Sequence, residues 1–280
     1  MKNILILSNF ESYSINATTY AMQFFSGQSC HFYFLNIVKV WEYTTDNLIV
    51  ANENETIYDT ILASSKTKLK NKISLLEETY AHEDYTFTDL LDYDVFTDAI
   101  KQAVKNYHID CILMGSNGQS NFIEKIFGSH STRVVRKVDC PVFIIPEDYV
   151  FTPIHNALLV LDKENAYSSY IFDKAFNIIE RKKTRVSVLR LSTSEPLFKK
   201  EELFQIKKDF DQNDVPYFYC SQEIENKGKQ LQVVDEVLKA DINIVSTRPV
   251  SFTSRILSND GVDELILKIK KPTIFLKDYN

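Results

Sequence analysis

The chain has 280 residues, of which 44% are hydrophobic and 25% are charged, and its formal net charge is −6. This composition is typical of a folded globular protein and excludes a disordered chain, a collagen-like repeat and a bare coiled coil. The negative charge argues against general nucleic-acid binding, which needs clustered Lys and Arg. No apolar run approaches the ~20 residues of a membrane-spanning helix. We therefore expect a cytoplasmic protein that binds neither nucleic acid nor membrane.

Strand-like and helix-like segments alternate along the first half. A continuous apolar run at 3–8 predicts a buried strand, and apolar residues at helical spacing predict a following helix that Gly27 can end. The other elements of this half are strands at 31–38, 84–90, 111–114 and 141–145, and helices at about 55–80, at 96–107 and just before the closing strand.

The second half repeats this order. Its strands are predicted at 157–161, 186–191, 216–220, 242–246 and 273–276, and its helices at about 167–181, 199–212, 229–239 and 260–270. Strands that alternate with helices of this length imply right-handed crossovers and a parallel sheet, which defines an α/β fold. Such sheets bind ligands at the carboxyl ends of their strands.

Two pairs of segments match across the halves. Residues 3–9 and 156–162 are both Asn-led apolar runs, and Pro141 and Pro272 each precede a closing apolar run. A strand that follows Pro is compatible with the edge of a sheet, because Pro cannot donate to the ladder. We therefore predict a tandem pair of domains, at 1–148 and 153–280.

A glycine-containing stretch follows the strand at 111–114. It carries the pattern G-x2-G-x9-G-S at Gly115, Gly118, Gly128 and Ser129, which is neither a P-loop nor a Rossmann fingerprint. Glycines let a ligand approach the main chain, and the N-terminus of a helix attracts phosphate. A plain loop with Ser129 as a helix N-cap explains the same residues equally well, so spacing alone leaves both interpretations open.

The complete pattern resembles the ATP-binding motif of the universal stress protein family, in which a short helix and a Cys-Pro-Val strand follow the glycines. Here that strand opens with Cys140-Pro141-Val142. The order of elements in both halves is also similar to the family. The resemblance implies two tandem open-sheet domains, each with a five-stranded parallel sheet of the adenine-nucleotide-hydrolase-like type. It further implies ATP or AMP, with or without Mg²⁺, in the first domain.

The resemblance also implies where the nucleotide lies. In the family, adenosine covers the ends of the first two strands and the glycine loop holds the phosphates. Asn9 stands where the family has an adenosine-contacting Asp, and it lacks that charge. The positions matched to the nucleotide site are Asn9, Phe10, Ile37, Met114, Gly115, Gly118, Gly128, Ser129, His130 and Ser131. No position is matched to catalysis or to a metal.

The glycine motif is absent from the second half. With the closing prolines aligned, all three glycines and Ser129 are replaced. A carboxylate then stands where a phosphate would lie, which is a like-charge conflict. The replacing residues are Ser246, Pro249, Asn259 and Asp260. Only Asp162 matches the adenosine-contacting Asp of the family. We predict that the second domain binds no triphosphate and is either structural or holds a different small ligand, with the structural role favoured.

Three functions are compatible with these residues. The first is a regulatory stress protein that binds an adenine nucleotide and signals to an unidentified protein, without dedicated catalysis, because no nucleophile has a recognisable base partner. The second is an enzyme that cleaves a nucleotide or transfers an adenylyl group, and the third is a scaffold that has lost its ligand. Family members dimerise through their last strands, so the resemblance implies an internal pseudo-dimer joined at 141–145 and 272–276. A further homodimer stays open.

Overall fold

The computed structural model describes residues 1–38, 57–93, 95–116, 127–162, 166–179, 184–191, 199–219, 234, 236–247 and 269–278. The strands within these ranges are β1 Lys2–Leu7, β2 Cys30–Ile37, β3 Tyr85–Asp92, β4 Cys111–Ser116, β5 Val142–Pro146, β6 Asn156–Asp162, β7 Arg185–Leu191, β8 Tyr217–Tyr219, β9 Ile242–Thr247 and β10 Thr273–Lys277. They form one sheet in the order β3-β2-β1-β4-β5-β10-β9-β6-β7-β8.

The sheet consists of two parallel sets of five strands. Neighbours from β1 to β5 pair in parallel, and so do neighbours from β6 to β10. The sets meet where β5 pairs antiparallel with β10, with Phe143 opposite Ile274. The predicted α/β fold and the internal pairing of the two closing strands are therefore confirmed. The exact limits of the two domains stay a prediction.

Six helices of the described chain lie between these strands. They are α1 Ser12–Phe24, α2 Ile57–Thr79, α3 Phe96–Asn106, α4 Phe127–Lys137, α5 Ser169–Phe176 and α6 Lys199–Phe210. The helix predicted at 167–181 is wrong at its carboxyl end, because after Phe176 the chain turns and the amides of Ile178 and Ile179 both donate to the carbonyl of Ala175. The helices predicted at 229–239 and 260–270 lie largely outside the described residues.

The helices cover both faces of the sheet, as expected when successive strand residues are buried on opposite sides. On one face Ile6 shares a core with Ala17 of α1 and Leu69 of α2. On the other face Leu5 shares a core with Ile100 of α3. The carboxyl ends of β1, β2 and β4 therefore lie between two helical layers.

Equivalent hydrogen bonds in the two halves support the internal repeat. The carboxylate of Asp110, just before β4, accepts the amide of Asn3 at 2.8 Å. The carboxylate of Asp241, just before β9, accepts the amide of Asn156 at 2.8 Å. These aspartates are 131 positions apart, which is also the separation of Pro141 and Pro272. The alignment on the closing prolines therefore holds in three dimensions as well.

Candidate functional site

Five of the predicted site residues lie at the carboxyl ends of strands of the first half, along one edge of the sheet. Asn9 and Phe10 follow β1, Ile37 ends β2, and Met114 and Gly115 lie near the end of β4. β1 lies between β2 and β4 in the sheet, so these three ends are adjacent.

The chain leaves β1 through a hydrogen-bonded turn. The hydroxyl of Ser14 on α1 donates to the carbonyl of Leu7 at 3.3 Å and accepts the amide of Asn9 at 3.4 Å. Asn9 accepts the amide of Glu11 through Oδ1 at 3.3 Å and donates through Nδ2 to the hydroxyl of Tyr13. The carboxamide of Asn9 is therefore fixed at an exposed position on the edge.

The end of β2 presents two different side chains to the two faces. Asn36 is buried and donates through Nδ2 to the carbonyl of Ser8 at 2.6 Å. Ile37 lies on the opposite face, where it and Leu7 pack partly buried against the cluster that contains Met114. The half-exposed surface of Leu7 and Ile37 is apolar and suits the face of a base. Leu7 is the last residue of β1, two positions before Asn9, and was not among the site residues predicted from the sequence.

Gly115 has a packing reason to lack a side chain. A Cβ at this position would lie 2.1 Å from the carbonyl oxygen of Tyr13 and 3.1 Å from the ring of the same residue. The first turn of α1 therefore contacts the main chain of β4 directly. This contact gives Gly115 a role in packing, and its role beside a ligand stays a prediction.

The helix after the glycine motif begins earlier than expected. α4 starts at Phe127, so Gly128 and Ser129 lie in its first turn, and Ser129 is not the residue that precedes the helix. The first amides of a helix have no partner within it and can donate to an anion. Ser131 is buried, with 1% of its surface exposed. Gly118 and the side chains of residues 127–130, including His130, lie outside the described residues.

A lysine that the sequence analysis did not consider reaches the end of β1 from α2. Lys72 donates through Nζ to Ser8 Oγ at 3.2 Å and to Thr18 Oγ1 at 2.9 Å, and it lies 5.0 Å from the centre of the Phe34 ring. Burial lowers the pKa of its ammonium group to about 8. The amine belongs to the face of the sheet that α1 and α2 cover.

In the second half, an ion pair occupies the position that corresponds to the ends of β1 and β2. The register of β6 with β7 puts Leu161 in the position of Ser8 and Arg190 in the position of Asn36. Arg190, with none of its surface exposed, pairs with the carboxylate of Glu202. The pKa of Arg190 is raised: burial lowers it, but the hydrogen bond and charge of Glu202 more than offset burial.

Further hydrogen bonds complete this buried cluster. The hydroxyl of Tyr217 donates to Glu202 Oε1 at 2.7 Å and accepts Arg190 Nε at 2.9 Å. The amide of Tyr167 donates to Glu202 Oε2 at 2.7 Å. The second half thus satisfies its own charges at this point. Pro249, Asn259, Asp260 and the side chain of Asp162, which bear on its nucleotide binding, lie outside the described residues.

Comparison with known proteins agrees with this geometry. The universal stress protein family matches residues 1–146. The chain belongs to the universal stress protein family. The match covers the first half, where the glycine motif lies. No curated protein matches the chain.

Solved structures share the fold of this universal stress protein over nearly its whole length. A universal stress protein from Archaeoglobus fulgidus has a TM-score of 0.73 at 16% identity and covers 99% of this chain and 97% of its own. A putative universal stress protein from Pseudomonas aeruginosa has a TM-score of 0.62 at 12% identity, with 99% and 93% covered. The cytoplasmic domain of a prokaryotic cation chloride cotransporter has a TM-score of 0.53 at 11% identity, with 99% and 95% covered. At these identities the likeness concerns the fold alone.

Two kinds of feature are absent from the described ranges of the chain. None of its helices is long and apolar enough to cross a membrane. Over the same described ranges, no group of three or more His, Cys, Asp or Glu side chains could hold a metal ion.

Proposed function

We propose that this universal stress protein binds an adenine nucleotide, ATP or AMP, in its first half and acts in the stress response as a regulator without dedicated catalysis. The observation that supports the proposal is the meeting of three features at one sheet edge. These are the apolar surface of Leu7 and Ile37, the fixed carboxamide of Asn9, and the first turn of α4 after the glycine motif.

Each feature suits one part of the ligand. The base packs against Leu7 and Ile37, because aromatic rings favour apolar surface. One ribose hydroxyl donates to Asn9 Oδ1, which has two lone pairs and uses one of them for the amide of Glu11. The amides of the first turn of α4 donate to phosphate oxygens, which the positive end of the helix dipole also attracts. Mg²⁺ would accompany the phosphates of ATP.

The regulatory step follows from the position of the ligand between two helical layers. A nucleotide that contacts both the β1 turn and the first turn of α4 favours the conformations in which these segments are close. Nucleotide binding then shifts the population of these conformations, and with it the surface that a partner protein contacts.

Calorimetric titration with ATP and AMP tests the proposal. We expect one nucleotide per chain, and loss of binding in Gly118→Val, whose side chain blocks approach to the loop. Pro249→Val changes the aligned position of the second half and should leave binding intact.

Three outcomes would contradict the proposal. Absence of binding would favour a scaffold that has lost its ligand. Unchanged binding in Gly118→Val would move the site elsewhere. Steady Mg²⁺-dependent product release, abolished in Ser129→Ala, would establish an enzyme instead.

A further inference from the structure

The ammonium group of Lys72 lies in a poorly solvated position, and the described residues accept only two of its three possible hydrogen bonds. Two of its three protons go to the hydroxyls of Ser8 and Thr18. Thr18 Oγ1 itself donates to the carbonyl of Ser14 at 2.8 Å, so it can only accept from the lysine. Among the described residues the third proton of Lys72 has no acceptor, and neither has the hydroxyl proton of Ser8. Within the described ranges, two donors at one point therefore lack an acceptor.

The described residues also offer Lys72 no compensating negative charge. Its contacts in the described part of the chain are two hydroxyls and the ring of Phe34, and none is a carboxylate. Ser8 and Thr18 each have 3% of their surface exposed, so solvent reaches this place poorly. A buried cation without a counter-ion is costly unless something pairs with it.

The second half shows how the same position looks when it is satisfied internally. There Arg190 has a carboxylate partner in Glu202, and Tyr217 bonds both groups. The hydroxyl of Ser8 is replaced by Leu161, which offers no donor. As far as the structure describes the chain, the first half has a cation and a hydroxyl proton without an acceptor where the second half has an ion pair.

We propose that Lys72 and Ser8 form a binding site for an oxyanion, the carboxylate or phosphate group of a small ligand, on the α1–α2 face of the first half. The oxygen atoms would accept the third proton of Lys72 and the proton of Ser8. A carboxylate or phosphate supplies the missing negative charge, and charge-assisted hydrogen bonds of this type are among the strongest. α4 packs on the opposite face, so the site does not rest on the proposed nucleotide site.

Lysine-resolved acylation of the full chain, read by peptide mass spectrometry, tests the site with inorganic phosphate and with acetate at constant ionic strength. We expect labelling of Lys72 to fall roughly tenfold at an anion concentration of about ten times Kd. Labelling of the exposed neighbours Lys66 and Lys70 on the same helix should not change. Equal changes at all three lysines would mean screening only, and no protection of Lys72 would overturn the site.

Thermal unfolding provides a second readout that does not depend on the labelling rate. Phosphate or acetate should raise the Tm of the unaltered chain in a saturable way, and this rise should vanish in Lys72→Met and in Ser8→Ala. Lys68→Met, one turn away on an exposed side chain, should keep it. Equal rises in all four proteins would overturn the proposal. So would protection by AMP alone that is lost in Gly118→Val, because the anion would then belong to the nucleotide.

Discussion

Single residues determine how closely α1 approaches the sheet. Gly115→Ala places a methyl group 2.1 Å from the carbonyl oxygen of Tyr13, so the first turn of α1 must move. We expect a loss of roughly 1–3 kcal/mol in the free energy of unfolding, typical of overpacking. Denaturant titration measures it. Ser246→Ala, at the aligned position of the second half, is the matched control. Equal midpoints for Gly115→Ala and the unaltered chain would contradict the packing role.

Lys72 makes stability depend on pH in a predictable direction. Its pKa is about 8 in the fold against 10.5 for a free lysine, so between these values the unfolded chain binds more protons. Stability contributed by this residue therefore rises with pH through that window. At pH 7 Lys72→Met should be more stable than the unaltered chain by up to about 3 kcal/mol.

The quantity to measure is the difference in free energy of unfolding between Lys72→Met and the unaltered chain. It should shrink as pH rises from about 8 to about 10.5, because the lysine then becomes neutral in both states. Comparing the two chains at each pH cancels the titration of all other groups. A difference that stays constant across the window would show that Lys72 titrates normally.

The variant Asn9→Asp tests whether a carboxylate at this position strengthens binding at the proposed nucleotide site. Asn9→Asp replaces an amide oxygen with a carboxylate, which accepts ribose hydroxyls in stronger, charge-assisted bonds. A gain of about 1.4 kcal/mol would tighten AMP binding about tenfold. Asp162→Asn makes the reverse change at the matched position of the second half and should leave the affinity unaltered. Weaker binding by Asn9→Asp would place the ribose elsewhere.

Gly115 and Lys72 show what the sequence alone could not reveal. Gly115 stands out in a chain with only six glycines, but its contact with Tyr13 joins residues about a hundred positions apart. Lys72 precedes the buried Ile73 on α2, one position off the apolar stripe. A lysine there looks like an exposed residue, and only the approach of β1 and α1 makes it half-buried.

At the scale of elements, two aspartates anchor the starts of equivalent strands. Asp110 accepts one amide, that of Asn3, whereas Asp241 accepts two, those of His155 and Asn156. Asp110→Ala should cost about 1 kcal/mol and Asp241→Ala about twice that, since each bond to a carboxylate contributes on this order. Denaturant midpoints measure both losses. The sites do not share a partner, so the double variant should lose the sum of the two.

A larger loss from Asp110→Ala than from Asp241→Ala would contradict this comparison. Asp110→Asn and Asp241→Asn are the conservative controls. Each keeps an acceptor oxygen and should lose less than the alanine variant.

Strands were more predictable than helices. Buried central strands such as β1 and β6 are built around short continuous apolar runs, and the run itself locates the strand. The helix at α5 was predicted too long because Ile178 and Ile179 continue the apolar period and are indeed buried. They lie in a turn, since their amides share one acceptor. Periodicity reports burial and does not distinguish a helix from a packed turn.

At the scale of the whole molecule, the pairing of β5 with β10 covers two edges at once. A chain that ends after Val150 would leave β5 with unpaired amides and carbonyls along one side. Exposed edges recruit a further strand. We expect this fragment to dimerise at micromolar concentration in sedimentation experiments. The full chain at the same concentration is the control, and a monomeric fragment would contradict the expectation.

The antiparallel seam has a consequence for recognition. Because the strands of the two halves run in opposite directions, their carboxyl ends face opposite poles of the molecule. A protein docked over the loops of one pole is out of reach of the loops of the other. The glycine replacements and the buried Arg190 of the second half therefore leave unaltered the surface that a protein docked at the pole of the first half would contact. The nucleotide proposed for the first half and any ligand of the second half would therefore lie at opposite poles.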